Sequence, residues 1–125
     1  MGIVATVIGA AWVGERHGVV WVDGVPSRIE TEKGEWVGEA LSTSGDGSTI
    51  SGMLFDQQEP IGAGWRKPID SSQLEYFGPL SADASPAMAF AMSRDGSVMA
   101  GLSGNPFFSF SPAPFLWTKE MGMAN

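Results

Sequence analysis

The sequence predicts an all-β fold, one domain over residues 1–125, made of antiparallel four-stranded repeat units. Three observations predict it. A thirteen-residue segment recurs without gaps at an offset of 49 residues, as Ala40–Gly52 and again as Ala89–Gly101. Short apolar runs alternate with Gly (17) and Pro (8), and only 17% of residues are charged; that mixture belongs to short strands and tight turns, not to long charged helices. Three tryptophans, Trp21, Trp65 and Trp117, follow Gly9, Gly52 and Gly101 by 12, 13 and 16 residues.

The elements follow in chain order. The apolar run Ile3–Val13 is too short to span a bilayer. It has the length of a signal-peptide core, but no Lys or Arg precedes it, so a buried strand is the better reading. Val19-Val20-Trp21 and Val25–Ile29 continue this first, incomplete copy. The second copy starts its hairpin at Ser44-Gly45-Asp46-Gly47-Ser48 and the third at Ser93-Arg94-Asp95-Gly96-Ser97. Asp-Gly between apolar segments is a strong hairpin signal, and the expectation is a type I′ turn with positive φ at both residues. Asp46, Gly47, Asp95 and Gly96 are therefore structural turn residues. Before the second turn, Ala87, Ala89 and Ala91 alternate with Met88, Phe90 and Met92. Ala and Met also favour helix, but the run is short and period two, which predicts a strand buried on both sides.

One unit reads as four strands: up to the Asp-Gly turn, up to the motif glycine, through the tryptophan, and a short apolar segment such as Leu74–Phe77. The chain divides into a partial unit 1–36, a unit 37–85 and a unit 86–125, two and a half to three units with about eleven strands. Four strands in about 40 to 50 residues is the spacing of a β-propeller blade. Trp21, Trp65 and Trp117 are expected at one repeat position, as core anchors packing each unit on the next.

The pattern Ala-x-x-x-Ser-x-Asp-Gly-Ser-x-x-x-Gly, followed by an apolar pair and Trp and closed by Gly122-Met123, resembles the HAF repeat, or "probable extracellular repeat", family. The middle copy departs from it with Ala63-Gly64 before Trp65. The resemblance implies a propeller-like fold and an extracellular or periplasmic setting, and it carries no catalytic residues across. A closed propeller has about four to eight blades, more than this chain supplies. The expectation is a homo-oligomer, a dimer above all, whose subunits jointly close a ring and cover the open sheet edges.

Composition narrows the function classes. A net charge of −7, with Arg66-Lys67 the one basic pair, argues against nucleic acids and anionic membranes. The chain has no cysteine, so disulfides, thiolate nucleophiles and zinc–thiolate sites are excluded. A lone histidine, His17, in a solvated loop makes no metal site. Asp46 and Asp95 lack the alternating acids of a calcium loop. No cofactor or metal is expected. No Gly-x-Ser-x-Gly elbow and no singled-out carboxylate pair point to hydrolysis, so a small hydrolase ranks last and no catalytic residue is assigned.

Loops on a rigid scaffold are where binding usually lives. The segments between the second and third strand of each unit are 14–18, 53–62 and 102–114. They offer His17, Asp56, Gln57, Glu59, Asn105, Phe107, Phe108 and Phe110 as candidate ligand-binding residues, for a carbohydrate or a protein. Trp12 and Trp36 stand outside the repeat pattern and are weaker candidates for sugar stacking. The function expected is a non-catalytic binding or adhesion module; the alternative is an assembly protein whose loops form a subunit interface.

Overall fold

The computed structural model describes residues 6–13, 15–54, 58–81, 84–104 and 112–125. Within them lie eleven strands: β1 (Thr6–Val13), β2 (Glu15–Val22), β3 (Val25–Arg28), β4 (Glu39–Thr43), β5 (Thr49–Met53), β6 (Gly64–Pro68), β7 (Glu75–Phe77), β8 (Ala87–Met92), β9 (Val98–Ser103), β10 (Ala113–Thr118) and β11 (Gly122–Ala124). They form three antiparallel sheets in simple meander order: β1-β2-β3, β4-β5-β6-β7 and β8-β9-β10-β11. Among the described residues there is no α-helix. The rival helix over 87–92 loses to β8 because Ala87, Met88 and Ala89 pair with Ser103, Leu102 and Gly101.

The repeat is visible in the hydrogen-bond register. Ala40 pairs with Gly52 and Ser42 with Ser51, leaving Leu41 as a bulge. Ala89 pairs with Gly101 and Ala91 with Ala100, leaving Phe90 as the same bulge. A bulge brings the backbones close and re-aims the strand, and here only glycine fits opposite. A Cβ on Gly52 would overlap the Glu39 carbonyl and the Trp65 indole, and one on Gly101 would overlap the Met88 carbonyl. The bulge also breaks the expected alternation in β8. Ala87, Met88 and Ala89 are buried, but the bulged Phe90 is 52% exposed and Ala91 beyond it is exposed too, so the strand is not buried on both sides throughout.

The motif turns close differently from the expectation. Gly47 has φ 75° and Gly96 has φ 78°, while Asp46 and Asp95 keep negative φ. The Gly47 N–H donates to Ser44 O at 3.0 Å and the Gly96 N–H to Ser93 O at 3.0 Å. Each turn therefore runs Ser-x-Asp-Gly, with glycine alone in the left-handed region. The two-residue turn with both φ positive occurs at Asp23 (51°) and Gly24 (83°), where Val22 pairs with Val25 across the β2–β3 hairpin.

The three sheets stack face to face. Ile8, Val20 and Val22 from the first pack against Ala40, Ile50 and Trp65 from the second, with Ile29, Val37 and Leu74 closing the core. Phe77 of the second sheet packs with Ala87, Ala89, Met99, Phe115 and Trp117 of the third. Trp65 is fully buried, and its indole N–H donates to Met53 O at 3.1 Å. Burying about 200 Å² of indole at about 25 cal/mol per Å² contributes about 5 kcal/mol before entropy.

The tryptophans do not share one position. Counting from the motif glycine, Trp65 pairs directly with Gly52, whereas Phe115 pairs with Gly101 and Val19 with Gly9. Trp117 and Trp21 stand two residues further along, opposite Met99 and Val7, where the second sheet has Lys67 opposite Ile50. Trp65 and Trp117 are core anchors. Trp21 is half-exposed, because it points away from Val20 and Val22 to the outer face of the first sheet.

Substituting Gly52→Ala or Gly101→Ala forces the bulged strands apart. Each is expected to cost about 1–3 kcal/mol or more, read as a lower denaturation midpoint. Alanine at Gly24 meets nothing within 4 Å but must take a φ of 83°, so it costs backbone strain of about 1–2 kcal/mol without steric overlap and separates the two effects.

Candidate functional site

The Asp-Gly motif first offers itself as chemistry, because it gathers serine hydroxyls around a carboxylate. One Asp46 oxygen, Oδ1, accepts from Ser44 Oγ at 2.7 Å, the Ser48 N–H at 2.9 Å and Ser48 Oγ at 2.6 Å. Asp95 Oδ1 accepts likewise from Ser93 Oγ at 3.0 Å, the Ser97 N–H at 3.0 Å and Ser97 Oγ at 2.7 Å. The second shared feature is the first serine's hydroxyl, which accepts from the Thr49 N–H in one turn and the Val98 N–H in the other. The donors stabilise the ionised acid. The Ser48 hydroxyl leads in lowering the Asp46 carboxyl to about 2, and the Ser97 hydroxyl leads in lowering that of Asp95. These are braces for a loop, with the serines committed as donors.

The braced turns also tie sheet to sheet. The Asp46 N–H donates to Arg94 O of the next turn at 2.9 Å. Each turn glycine's carbonyl accepts from the preceding sheet: Gly47 O from Thr6 Oγ1 at 2.9 Å and Gly96 O from Arg66 Nη2 at 2.8 Å. Arg66 is buried, reaches Glu75 at 3.1 Å and lies over the Trp117 ring at 4.5 Å. The turns thus lie along one edge of the sheets, and β5 and β9 run from them to the opposite edge.

Of the candidate binding residues, Asp56, Gln57, Asn105, Phe107, Phe108 and Phe110 lie outside the described residues. Glu59 is exposed. His17 is not in a solvated loop: β2 begins at Glu15, and His17 is 2% exposed. Its ring meets Trp36 edge-on at 87°, and Arg28 sits 4.1 Å from the same indole. Gln58 Nε2 donates to Trp36 O at 2.8 Å. The physical reason is parity: His17 shares a face of β2 with Val19 and Trp21, and Trp36 folds back over it. This packing, with Trp36 half-buried, leaves neither ring as an open sugar platform. The side chain of Trp12 lies outside the described residues.

Two features were not singled out in the sequence. The first is a groove of about 640 Å³ between the first and second sheets, lined by Arg28, Glu30, Glu32, Lys67, Asp70 and Ser71 among others. Its residues are Val20 of β2 and members of segments 27–32 and 67–73, whose proximity no local pattern announces. Burial lowers the Lys67 ammonium, whose Nζ donates to Pro68 O at 3.2 Å. Glu32 spans the sheets nearby, accepting from Tyr76 Oη at 2.8 Å. Burial and that carboxylate push the Tyr76 hydroxyl up to about 12. The groove brings both charge signs together, Arg28 and Lys67 beside Glu30, Glu32 and Asp70. The second feature is the pair of outer sheet faces. On the third sheet, Leu116 is 48% exposed, and Val98, Ala100 and Leu102 are half-buried. On the first sheet, Val7 is 56% exposed beside Trp21.

The braced turns carry a pH prediction. A carboxyl held low in the folded chain stabilises it above the unfolded value near 3.9 and ceases to do so as pH falls through the folded value. For Asp46 that window runs from about 4 down to about 2. The melting temperature is expected to fall through it, and the double variant Asp46→Asn, Asp95→Asn to start lower at pH 7 and lose less on acidification. An equal acid slope in both proteins would show that the turns are not the source.

Comparison with family models, with curated proteins and with solved structures finds no match to this chain.

Proposed function

We propose that the chain is a non-catalytic module of propeller-like blades. It is a scaffold that joins further blades of the same kind through its two outer faces and presents the connecting segments at one end of the stack to a partner. The observation that carries this reading is the character of those outer faces. The positions that bury Ile8 and Val20 between the first two sheets hold Ala100 and Leu116 on the third, and Leu116 is exposed. An apolar sheet face of that kind is an interaction surface. The resemblance to the HAF repeat supports the same reading, since repeats that touch only their neighbours bury their faces by stacking. The serines and aspartates of the motif serve the turns, and Arg66 serves the gap between sheets, which supports a structural role for these groups.

The test is a tandem protein: two copies of the chain joined by a short flexible linker, compared with the single chain at high dilution. One cooperative transition with a higher midpoint is expected, because the third sheet of the first copy then covers the first sheet of the second. Unfolding of the tandem at the single-chain midpoint would overturn the reading.

A further inference from the structure

Inside the chain, adjacent sheets meet at a repeated pair of positions. Val20, Arg66 and Leu116 are equivalent: they pair with Ile8, Ser51 and Ala100, each one residue before a motif glycine. Trp21, Lys67 and Trp117 are equivalent too, pairing with Val7, Ile50 and Met99, each two residues before that glycine. Between the second and third sheets, Arg66 lies over Trp117 at 4.5 Å. Between the first and second, Val20 and Lys67 line one groove. Each internal gap therefore sets the first kind of position on one sheet against the second kind on the next. One of each is left over, at opposite ends of the stack: Leu116 and Trp21.

We propose that a second copy of this chain supplies the match, with Leu116 of one copy packed on Trp21 of the other. This rests on the reading that the outer faces join further blades, and it names the occupant. The chemistry fits. Around Leu116, the outward positions of β9 and β10 are Val98, Ala100, Leu102, Pro114 and Thr118, so burying them strands no charge. Around Trp21, the cross-strand neighbours are the apolar Val7 and Pro26, with exposed Arg28 opposite Val19 at the margin of the same face. Where the internal gap uses Arg66 on Trp117, this contact has leucine on tryptophan, the exchange expected where no carboxylate such as Glu75 stands by. The contact is heterologous, joining unlike faces. Two copies that satisfy both faces of each other close a ring of six sheets, inside the range of about four to eight for closed propellers.

The experiment is molar mass by size-exclusion chromatography with light scattering, on the full chain and on Leu116→Asp, Trp21→Asp and an equimolar mixture of the two. Ala100→Glu, on the same face as Leu116, stands in should Leu116→Asp fail to fold by circular dichroism. The wild type is expected at twice 13.2 kDa. Each variant is expected as a monomer, because each loses one partner of both contacts. The mixture is expected to return to the dimer mass, because one intact Leu116 face still meets one intact Trp21 face. A Trp21→Asp dimer beside a Leu116→Asp monomer would overturn the proposal in favour of like faces meeting. A ladder of higher masses would overturn ring closure. A wild-type monomer up to millimolar concentration would overturn the proposal outright. If the tandem protein nevertheless gained stability, the blade reading would stand with its neighbour in the same polypeptide; if it did not, both would fall.

Discussion

The stack depends on one arrangement, an aspartate carboxylate that braces a Ser-x-Asp-Gly-Ser turn from inside. A single oxygen of Asp46 takes three donors, and Asp95 repeats the set. With the side chain holding the loop, the backbone of the turn is available to its neighbours. The Asp46 N–H reaches Arg94 O, and the glycine carbonyls receive Thr6 and Arg66. Hydrogen bonds to a charged acceptor contribute more than neutral ones. Here they stand at the point where one sheet is placed on the next, so the geometry of the turn becomes the geometry of the stack.

Much of this was legible. The 49-residue offset and the strand count follow from repeated Asp-Gly signals and short apolar runs, because turn chemistry and period two are local. What failed is instructive. The turn motif was expected to use positive φ at aspartate, whereas its aspartates act through their side chains; the turn with two positive φ values is Asp23-Gly24. The tryptophans looked equivalent by spacing, but segments 54–63 and 104–112 differ in length, and only the register shows Trp65 two positions ahead of Trp21 and Trp117. The motif glycine was recognised, though its reason was not. It faces a bulge at Leu41 or Phe90, a feature that no residue type announces. The sequence reading puts His17 in a loop, yet it lies within β2, Glu15–Val22. The groove beside Lys67 depends on two distant segments and had no local signal.

Seen as energetics, the three sheets differ in what covers them. The second is enclosed on both sides, by Ile8 and Val20 on one and by Phe115 and Trp117 on the other. The first and third each have one face against it and one face outward. Burial contributes in proportion to the apolar area removed from water. Covering the outward faces at Leu116 and Trp21 would therefore add stability. That asymmetry links the packing to the function proposed: the middle of the chain is scaffold, and its two ends are surfaces.

Through the Asp46 N–H to Arg94 O bond and the Arg66 to Gly96 O bond, the braced turns lock the second and third sheets into one cooperative unit. Native-state hydrogen exchange of the ladder amides in β5 and β9 tests it most directly. The prediction is one common opening free energy for both strands, falling together when Asp46 is replaced by Asn. Independent opening of β9 at a lower free energy, unchanged by that substitution, would contradict it.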